Sequence, residues 1–194
     1  SADTRRSQVA EAAINAGASI LNDTSGLRHD RGLAELAKEY NLPIIILASE
    51  EGLISTPSTD TVISRVSNVL KESLELAYNA GVTEDLVLDP GIGFFRGTGS
   101  GVELRDSRIP WYVWDSEVLK DLEFLSELGR PICIGLSRKS FIGNILNIDD
   151  PADRLYGSLA ATAIAVFHGA HLIRTHDVAA TVQAIKVAEA IRGK

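Results

Sequence analysis

Apolar residues in this chain occur in short continuous runs that alternate with longer amphipathic segments. The runs are nearly uninterrupted in Ile, Leu and Val, which is typical of parallel strands buried on both faces. We predict strands at Ala18 to Asn22, Pro43 to Ala48, Asp85 to Asp89, Pro131 to Leu136 and His171 to Thr175. We predict helices at Thr4 to Ala16, Arg31 to Tyr40, Thr59 to Asn79, Ser116 to Leu128, Ala152 to His168 and Val178 to Ile191. This alternation indicates an α/β fold.

Turn-forming residues mark the ends of the predicted helices. Asp150 followed by Pro151 is typical of an N-cap with proline in the first helical turn. A glycine follows four helical segments, where a left-handed terminal residue is favoured: Gly17, Gly81, Gly129 and Gly169. The same glycine in successive units indicates a structural repeat.

A polar residue stands at or just beyond the carboxyl end of each predicted strand. These residues are Asp23, Ser49, Asp89, Ser137 and Asp177, and Asp3 ends one more, incomplete strand. Polar residues at the carboxyl end of every successive strand are typical of the active-site face of a (β/α) barrel, whereas a doubly wound sheet has them mainly at one switch point. We therefore predict a (β/α)8 TIM-barrel type fold. It is incomplete in this chain, with about five full βα units and the end of one more strand, and residues 1–194 form a single domain.

Composition narrows the classes of function. The net charge is −7 and the 19 basic residues do not cluster, which argues against a nucleic-acid surface. No apolar run approaches the roughly 20 residues of a membrane span, so we expect no membrane partner. The single cysteine, Cys133, lies in an apolar stretch and is predicted to be a buried structural thiol. A reducing, cytoplasmic location fits these features.

The chain contains no methionine and begins at Ser1 in the middle of a βα unit. We expect further residues, enough for the missing strands, to precede it in a longer protein. Three histidines, His29, His168 and His171, have no partners at metal-ligand spacing and are predicted to be surface or packing residues. We predict no metal site among the residues of this chain.

The segment from Asp89 to Phe94, Asp-Pro-Gly-Ile-Gly-Phe, is the first candidate for chemistry. Asp89 follows an apolar strand, and a buried carboxylate needs a partner. A flat ligand edge with adjacent N–H donors, such as an aminopyrimidine, would supply two parallel hydrogen bonds. The alternative is a turn that Asp89 caps.

Two other strand ends carry amide or acidic groups, Asn22-Asp23 and Asp3-Thr4. Asparagine both donates and accepts, which suits a heterocycle edge that carries both kinds of group. The alternative for each pair is a cap or an Asx-turn before the following helix.

Cations follow the last two predicted strands. Ser137-Arg138-Lys139-Ser140-Phe141 is typical of a site for an anion or an electron-rich carbonyl, or of a solvated basic turn. Arg174 and His176 alternate along the last strand and so point the same way, either into the top of the barrel lumen or toward the helices. Beside the helix that starts at Val178, this pair would form a phosphate site.

Two loops interrupt the βα rhythm: Glu50 to Ser58, and the glycine-rich and aromatic stretch from Gly91 to Asp115. Loops of this length in a compact domain are usually functional or disordered. On the active-site face of a barrel they would lie over the site.

Taken together, these segments resemble the dihydropteroate synthase family. The resemblance covers essentially the whole chain, and the pairing of Ser-Arg-Lys-Ser-Phe-Ile-Gly at Ser137 to Gly143 with Asp89 to Phe94 is its most specific feature. Asp3-Thr4, Asn22 to Gly26, Gly157-Ser158 and Arg174 to Val178 follow in the family's order.

The resemblance implies an enzyme of folate biosynthesis that joins 6-hydroxymethyl-7,8-dihydropterin pyrophosphate to p-aminobenzoate, releases pyrophosphate and uses Mg²⁺. It implies that Lys139 and Asp89 are the catalytic residues, and it makes a homodimer possible. The residues expected to bind the substrates are Asp3, Asn22 and Asp89 for the pterin, Lys139 between the two substrates, Phe94 and Ser140 for p-aminobenzoate, and Arg174 and His176 for pyrophosphate.

The chain departs from the family in three places. Ala48-Ser49-Glu50-Glu51-Gly52 stands where the family carries a His-Met-Arg-Gly-like motif, and Arg96 stands near an expected lysine, before an insertion through Trp114. Divergent, archaeal-like members show such changes. The main Mg²⁺ ligand and a mobile loop over the amine site are expected before Ser1, so we predict that this chain alone has little or no synthase activity.

Two other interpretations compete with the synthase. A corrinoid-dependent pterin-binding methyltransferase would share the aspartate and asparagine residues that hold the pterin, but would not need Arg138 and Lys139. A non-catalytic truncated barrel would expose strand edges and oligomerise. Pyrophosphate binding and sedimentation discriminate among the three.

Overall fold

The computed structural model describes residues 1–51, 61–95 and 109–193. Its strands are β1 (Ala2–Asp3), β2 (Leu21–Asp23), β3 (Ile44–Leu47), β4 (Leu86–Asp89), β5 (Cys133–Gly135) and β6 (Leu172–Arg174). Its α-helices are α1 (Ser7–Asn15), α2 (Gly32–Glu39), α3 (Val62–Asn79), α4 (Trp111–Lys120), α5 (Ser140–Leu146), α6 (Leu155–Phe167) and α7 (Val178–Arg192). Two 3₁₀-helices, Leu122–Leu128 and Pro151–Arg154, precede β5 and α6. The predicted alternation of strands and helices is confirmed.

All the strand pairs are parallel, and the strands follow one another in chain order. β1 to β4 form one sheet and β5 pairs with β6, while a bridge between Leu88 and Ile132 joins β4 to β5. Arg174 on β6 donates a hydrogen bond to Asn22 on β2, four strands away. On a flat sheet those strands would be roughly 19 Å apart, far beyond the length of an arginine side chain. The sheet therefore curves into the arc of a TIM-type barrel, as predicted.

The strands in the middle of the arc, β2 to β5, are largely buried because both of their faces are covered. At the two ends of the arc β1 and β6 are partly exposed, so the predicted burial of the last strand is wrong. Every residue of β3 is buried, as are Leu21, Leu86 and Leu88, and the helices pack their apolar sides around the outside of the arc. This burial explains why the strands consist of continuous aliphatic runs and do not alternate with polar residues. No helix in the part of the chain that the structure describes is long and apolar enough to cross a membrane.

The predicted helix ends are largely confirmed. Gly17, Gly81, Gly129 and Gly169 all adopt the left-handed conformation, with φ between 65° and 101°. The Asp150 side chain accepts a hydrogen bond from the Ala152 N–H, although the helix that it caps is the short 3₁₀-helix and α6 begins only at Leu155. Helix α1 begins at Ser7 and not at Thr4, because the Thr4 hydroxyl accepts from the Arg6 N–H and forms a turn.

Two predictions in the second half of the chain are wrong. Helix α4 begins at Trp111, five residues before the predicted start at Ser116, because Pro110 supplies a fixed φ at the helix entry and three aromatic residues conceal the amphipathic pattern. The predicted second half of that helix is a 3₁₀-helix. Helix α5 is absent from the predicted helices. Three of the predictions lie outside the described residues: the start of α3 at Thr59, residues 52–58 of the first loop, and Arg96.

Candidate functional site

The site lies at the carboxyl ends of the strands, where three strands contribute polar side chains to one cluster. Arg174 on β6 donates from Nη1 to Asn22 Oδ1 at 3.0 Å and from Nη2 to Asp89 Oδ2 at 2.7 Å. Asn22 and Asp89 are almost fully buried at the ends of β2 and β4, whereas 44% of the Arg174 side chain is exposed. The curvature of the sheet brings together residues that are far apart in the sequence.

Asp89 has the buried carboxylate and the partner that its position predicts. Its Oδ1 accepts from the Gly91 N–H at 2.9 Å and its Oδ2 accepts from Arg174. Burial raises the pKa of Asp89 above its ordinary value, while the charges of Arg174 and Lys139 and the Gly91 hydrogen bond oppose that rise. Both the expected turn and an ion pair are therefore present at this carboxylate.

Asn22 presents one group that has no use within the fold. Its Oδ1 accepts from Arg174, but its Nδ2 is buried and has no hydrogen-bond partner among residues 1–51, 61–95 and 109–193. A buried N–H donor without an acceptor is costly, so this nitrogen is suited to an acceptor atom on a ligand. The neighbouring Asp23 instead forms the predicted Asx-type turn, accepting from the Ser25 and Leu27 backbone.

The turn after β4 is held against Lys139. The Lys139 ammonium donates to the Ile92 carbonyl at 2.9 Å and lies 4.9 Å from the centroid of the exposed Phe94 ring. Gly93 has a left-handed φ of 82°, and a Cβ there would lie 3.3 Å from the Lys139 side chain. The glycine thus makes room for Lys139.

The other glycine of this turn makes room for the backbone of a neighbouring loop. A Cβ on Gly91 would lie 2.6 Å from the Ala48 carbonyl oxygen at the end of β3. The turn after β4 and the loop after β3 are therefore in direct contact. Position 91 tolerates no side chain while that contact persists.

The two cations after β5 separate. Arg138 forms a bidentate ion pair with Asp177, at 2.8 and 3.2 Å, and its backbone N–H donates to the buried Ser158 hydroxyl. This ion pair lowers the pKa of Asp177. Only Lys139 faces Asp89, so the segment contains one structural cation and one site cation.

His176 and Arg174 have different partners. Ser137 Oγ and His176 Nδ1 are 2.9 Å apart, and the His176 backbone N–H donates to the same hydroxyl. Ser137 was not among the predicted site residues, although its place directly after a strand beside Arg138 was a signal for it. Ser140 begins α5 and is half-buried, and Asp3 ends β1 opposite Asn22 with its side chain exposed.

A cluster of charges links three loops at the rim. Glu51 contacts Arg5 at 3.0 Å and His29 at 2.7 Å, and so joins the loop after β3 to those after β1 and β2.

His171 accepts a hydrogen bond from the Ile132 N–H, as a packing residue does, and Cys133 is buried as predicted. The described residues include no group of three or more His, Cys, Asp or Glu side chains that could hold a metal ion.

Comparison with known proteins gives one consistent result. The model of a family described as pterin binding enzyme matches residues 1–176. The chain is similar to dihydropteroate synthase of Synechocystis, with 34% identity over 98% of this chain and 63% of that protein. It is 37% identical, over 99% of its length and 22% of that protein, to a probable bifunctional folylpolyglutamate synthase/dihydropteroate synthase of Halobacterium salinarum.

The fold is similar as well. A crystal structure of dihydropteroate synthase from Clostridium difficile, in the presence of pteroic acid, superimposes with a TM-score of 0.83 and 34% identity. It covers 99% of this chain and 66% of that one. The chain thus spans a little under two thirds of the length of the Synechocystis and Clostridium difficile synthases.

Proposed function

Because the chain belongs to the pterin-binding enzyme family, we propose that it carries the greater part of a dihydropteroate synthase site. The reaction joins 6-hydroxymethyl-7,8-dihydropterin pyrophosphate to p-aminobenzoate, or a related arylamine, and releases pyrophosphate. Residues 1–194 would act in the cytoplasm as a single pterin-binding unit and would pair with a second copy. The observation that supports this proposal best is the cluster of Asn22, Asp89 and Arg174.

The cluster has the complementarity that a pterin ring requires. The Asp89 carboxylate would accept two parallel hydrogen bonds from the aminopyrimidine edge, as it now accepts one from a guanidinium. The unpartnered Nδ2 of Asn22 would donate to a ring acceptor, and Asp3 would bind from the end of β1. The Arg174 guanidinium contacts Asp89 in the way that the ring edge would, since it is also flat and rich in N–H donors.

The cations then serve the leaving group. Displaced from Asp89, the half-exposed Arg174 would meet the diphosphate together with His176, and their charge would stabilise the oxygens as the methylene C–O bond breaks. The electron pair of that bond leaves with the diphosphate, and the electron-rich dihydropterin stabilises the methylene carbon. The amine nitrogen forms the new C–N bond and loses a proton to solvent. Positioning should dominate this reaction.

Lys139 would hold the two substrates in relation to each other. Its ammonium lies beside Asp89 and against the exposed ring of Phe94, between the proposed pterin and amine positions. Phe94 and Ser140 would border the p-aminobenzoate. The family's Mg²⁺ would neutralise the diphosphate, but the described residues do not supply a set of ligands for it, so no step here depends on it.

Calorimetry with the purified 194-residue chain tests the proposal. We expect binding of 6-hydroxymethylpterin, of pteroic acid and of pyrophosphate, with pterin binding weakened at least about tenfold by Asp89→Asn, which removes a charge-assisted acceptor. Asp150→Asn is the matched control, because it removes one carboxylate charge at a cap away from the cluster.

Each outcome of this experiment bears on a different claim. Pterin affinity that is unchanged in Asp89→Asn would overturn the assignment of the pterin position. Pterin binding without any pyrophosphate binding would instead support a pterin-dependent methyltransferase.

A further inference from the structure

We propose that Asp115 is a positioning residue of this site, which sets the place of Lys139 through a single peptide unit. The proposal rests on the function proposed above. Asp115 lies on α4 and is 1% exposed. Its Oδ1 accepts a hydrogen bond from the Gly93 N–H at 3.0 Å, across 22 positions of sequence. A buried carboxylate is thus directed at the backbone of the turn that carries the site.

The N–H of Gly93 and the carbonyl of Ile92 belong to the same peptide unit. A trans peptide is planar, and its N–H and C=O groups point to opposite sides. The carbonyl accepts from the Lys139 ammonium at 2.9 Å. Asp115 therefore holds one side of the unit while Lys139 occupies the other, and a rotation of the unit would break both contacts together.

The charges on the two sides reinforce each other. A carboxylate that accepts from an N–H and an ammonium that donates to the C=O both polarise the peptide unit in the same sense. Such charge-assisted hydrogen bonds are shorter and stronger than neutral ones. Asp115 thereby strengthens the Ile92 acceptor that Lys139 uses.

The surrounding structure leaves this carboxylate well placed to hold the unit. Gly93 is in the left-handed conformation and has no side chain that could pack and fix the turn. Trp114, next to Asp115, is fully buried and packs on the Phe95 ring at 5.6 Å. Helix α4 thus contacts the turn on either side of Phe94, and Asp115 supplies the directional contact.

The consequence for binding is an asymmetry between the two halves of the ligand. Asn22 and Asp89 lie on strands and would keep the pterin half without Asp115. The positions of Lys139 and Phe94 depend on the turn after β4, so the contacts to the aryl half would be lost without Asp115. Loss of Asp115 should therefore weaken the binding of pteroic acid, which contains both halves, more than it weakens the binding of 6-hydroxymethylpterin.

A double-mutant cycle with Lys139 tests this relation by calorimetry on the 194-residue chain. Asp115→Leu, which has no acceptor, should lower the affinity for pteroic acid about tenfold, which is the loss expected for one charge-assisted hydrogen bond. It should change the affinity for 6-hydroxymethylpterin less than about twofold. In a Lys139→Met background, Asp115→Leu should have almost no further effect on pteroic acid. Asp115→Asn keeps an acceptor oxygen and should retain most of the affinity.

Controls separate this role from a structural one. Asp150→Ala also removes a carboxylate bond to a backbone N–H and should leave both ligands unaffected. The positioning role would be overturned if Asp115→Leu lowered the affinity for both ligands equally. It would also be overturned if Asp115→Leu lowered the affinity for pteroic acid equally with and without Lys139. If Asp115→Leu does not fold, the same cycle with Asp115→Ala, which also lacks an acceptor, must show a coupling to Lys139, and additivity there overturns the positioning role. Failure of the unmodified chain to bind any pterin would refute the proposed function instead.

Discussion

The ion pair between Arg174 and Asp89 offers a direct test of how the cluster is held together. We consider Arg174→Leu, which removes the guanidinium and leaves the Asp89 carboxylate buried with the Gly91 N–H and the nearby charge of Lys139. The variant should be less stable at neutral pH, because a buried carboxylate loses its closest counter-charge.

The magnitude follows from the burial of the two partners. Removing one partner of a buried pair costs about 3–5 kcal/mol, and the lower end applies here because 44% of Arg174 is exposed while only 3% of Asp89 is. For a chain of this size each kcal/mol shifts the melting temperature by roughly 2–4 °C, so a loss of roughly 6–12 °C is expected.

The pH dependence identifies the cause. Without Arg174, burial raises the folded-state pKa of Asp89 further above its unfolded value, so the folded state binds the proton more tightly than the unfolded state. Stability then falls as pH rises through the folded-state pKa and is recovered as pH decreases. The deficit of Arg174→Leu relative to the unmodified chain should shrink as pH is lowered from about 8 toward the ordinary Asp pKa of about 4.

The assay is thermal unfolding followed by circular dichroism across that pH range. Asp89→Asn in the Arg174→Leu background should restore most of the lost stability, because the amide carries no charge. Saturating 6-hydroxymethylpterin should stabilise Arg174→Leu more than the unmodified chain, since its N–H donors would replace the guanidinium without first displacing it. A deficit that is independent of pH and persists with Asp89→Asn would refute this account.

Three further predictions concern single residues. Arg138 lowers the pKa of Asp177, so their ion pair stabilises the fold above about pH 4 and this contribution is lost as pH falls through the folded-state pKa of Asp177. Asp177→Asn should therefore make the free energy of unfolding depend less on pH in the acid range, as acid unfolding would measure. Gly93→Ala should lower stability by about 1–2 kcal/mol, through its left-handed φ and the contact with Lys139, and should weaken pteroic acid, as denaturant titration and calorimetry would show. Burial raises the pKa of the Cys133 thiol to about 11, so a thiol reagent should label it only on unfolding, and rapid labelling of the native chain would contradict this.

The strands and most helices could be predicted because each depends on local properties of the sequence. Ile44 to Leu47 is a continuous aliphatic run, and Gly81 ends α3, the helix that follows this strand, in the way that backbone sterics require. Helix α5 escaped prediction because its seven residues show too few turns for a helical period to appear. The start of α4 escaped because Trp111 and Trp114 are apolar on more than one face of the helix.

The site residues could be predicted to the extent that they end strands. Asn22 and Asp89 stand at strand ends and Lys139 follows one at the start of α5, and the structure gathers them around one cluster. The partner of Arg174 could not be predicted, because contact with Asn22 depends on how strongly the sheet curves. Asp115 escaped for a related reason, since nothing in its helix indicates that its carboxylate meets a backbone N–H 22 residues earlier.

The separation of the cluster residues along the chain has a kinetic consequence. Arg174 is 152 residues from Asn22 and 85 from Asp89, so the cluster closes only when the two ends of the arc have come together. Contacts that are this distant in sequence form slowly, because much chain entropy is lost before they are made. We expect binding competence to emerge as the last step of refolding, so that the fluorescence of an added pterin would time the completion of the barrel arc.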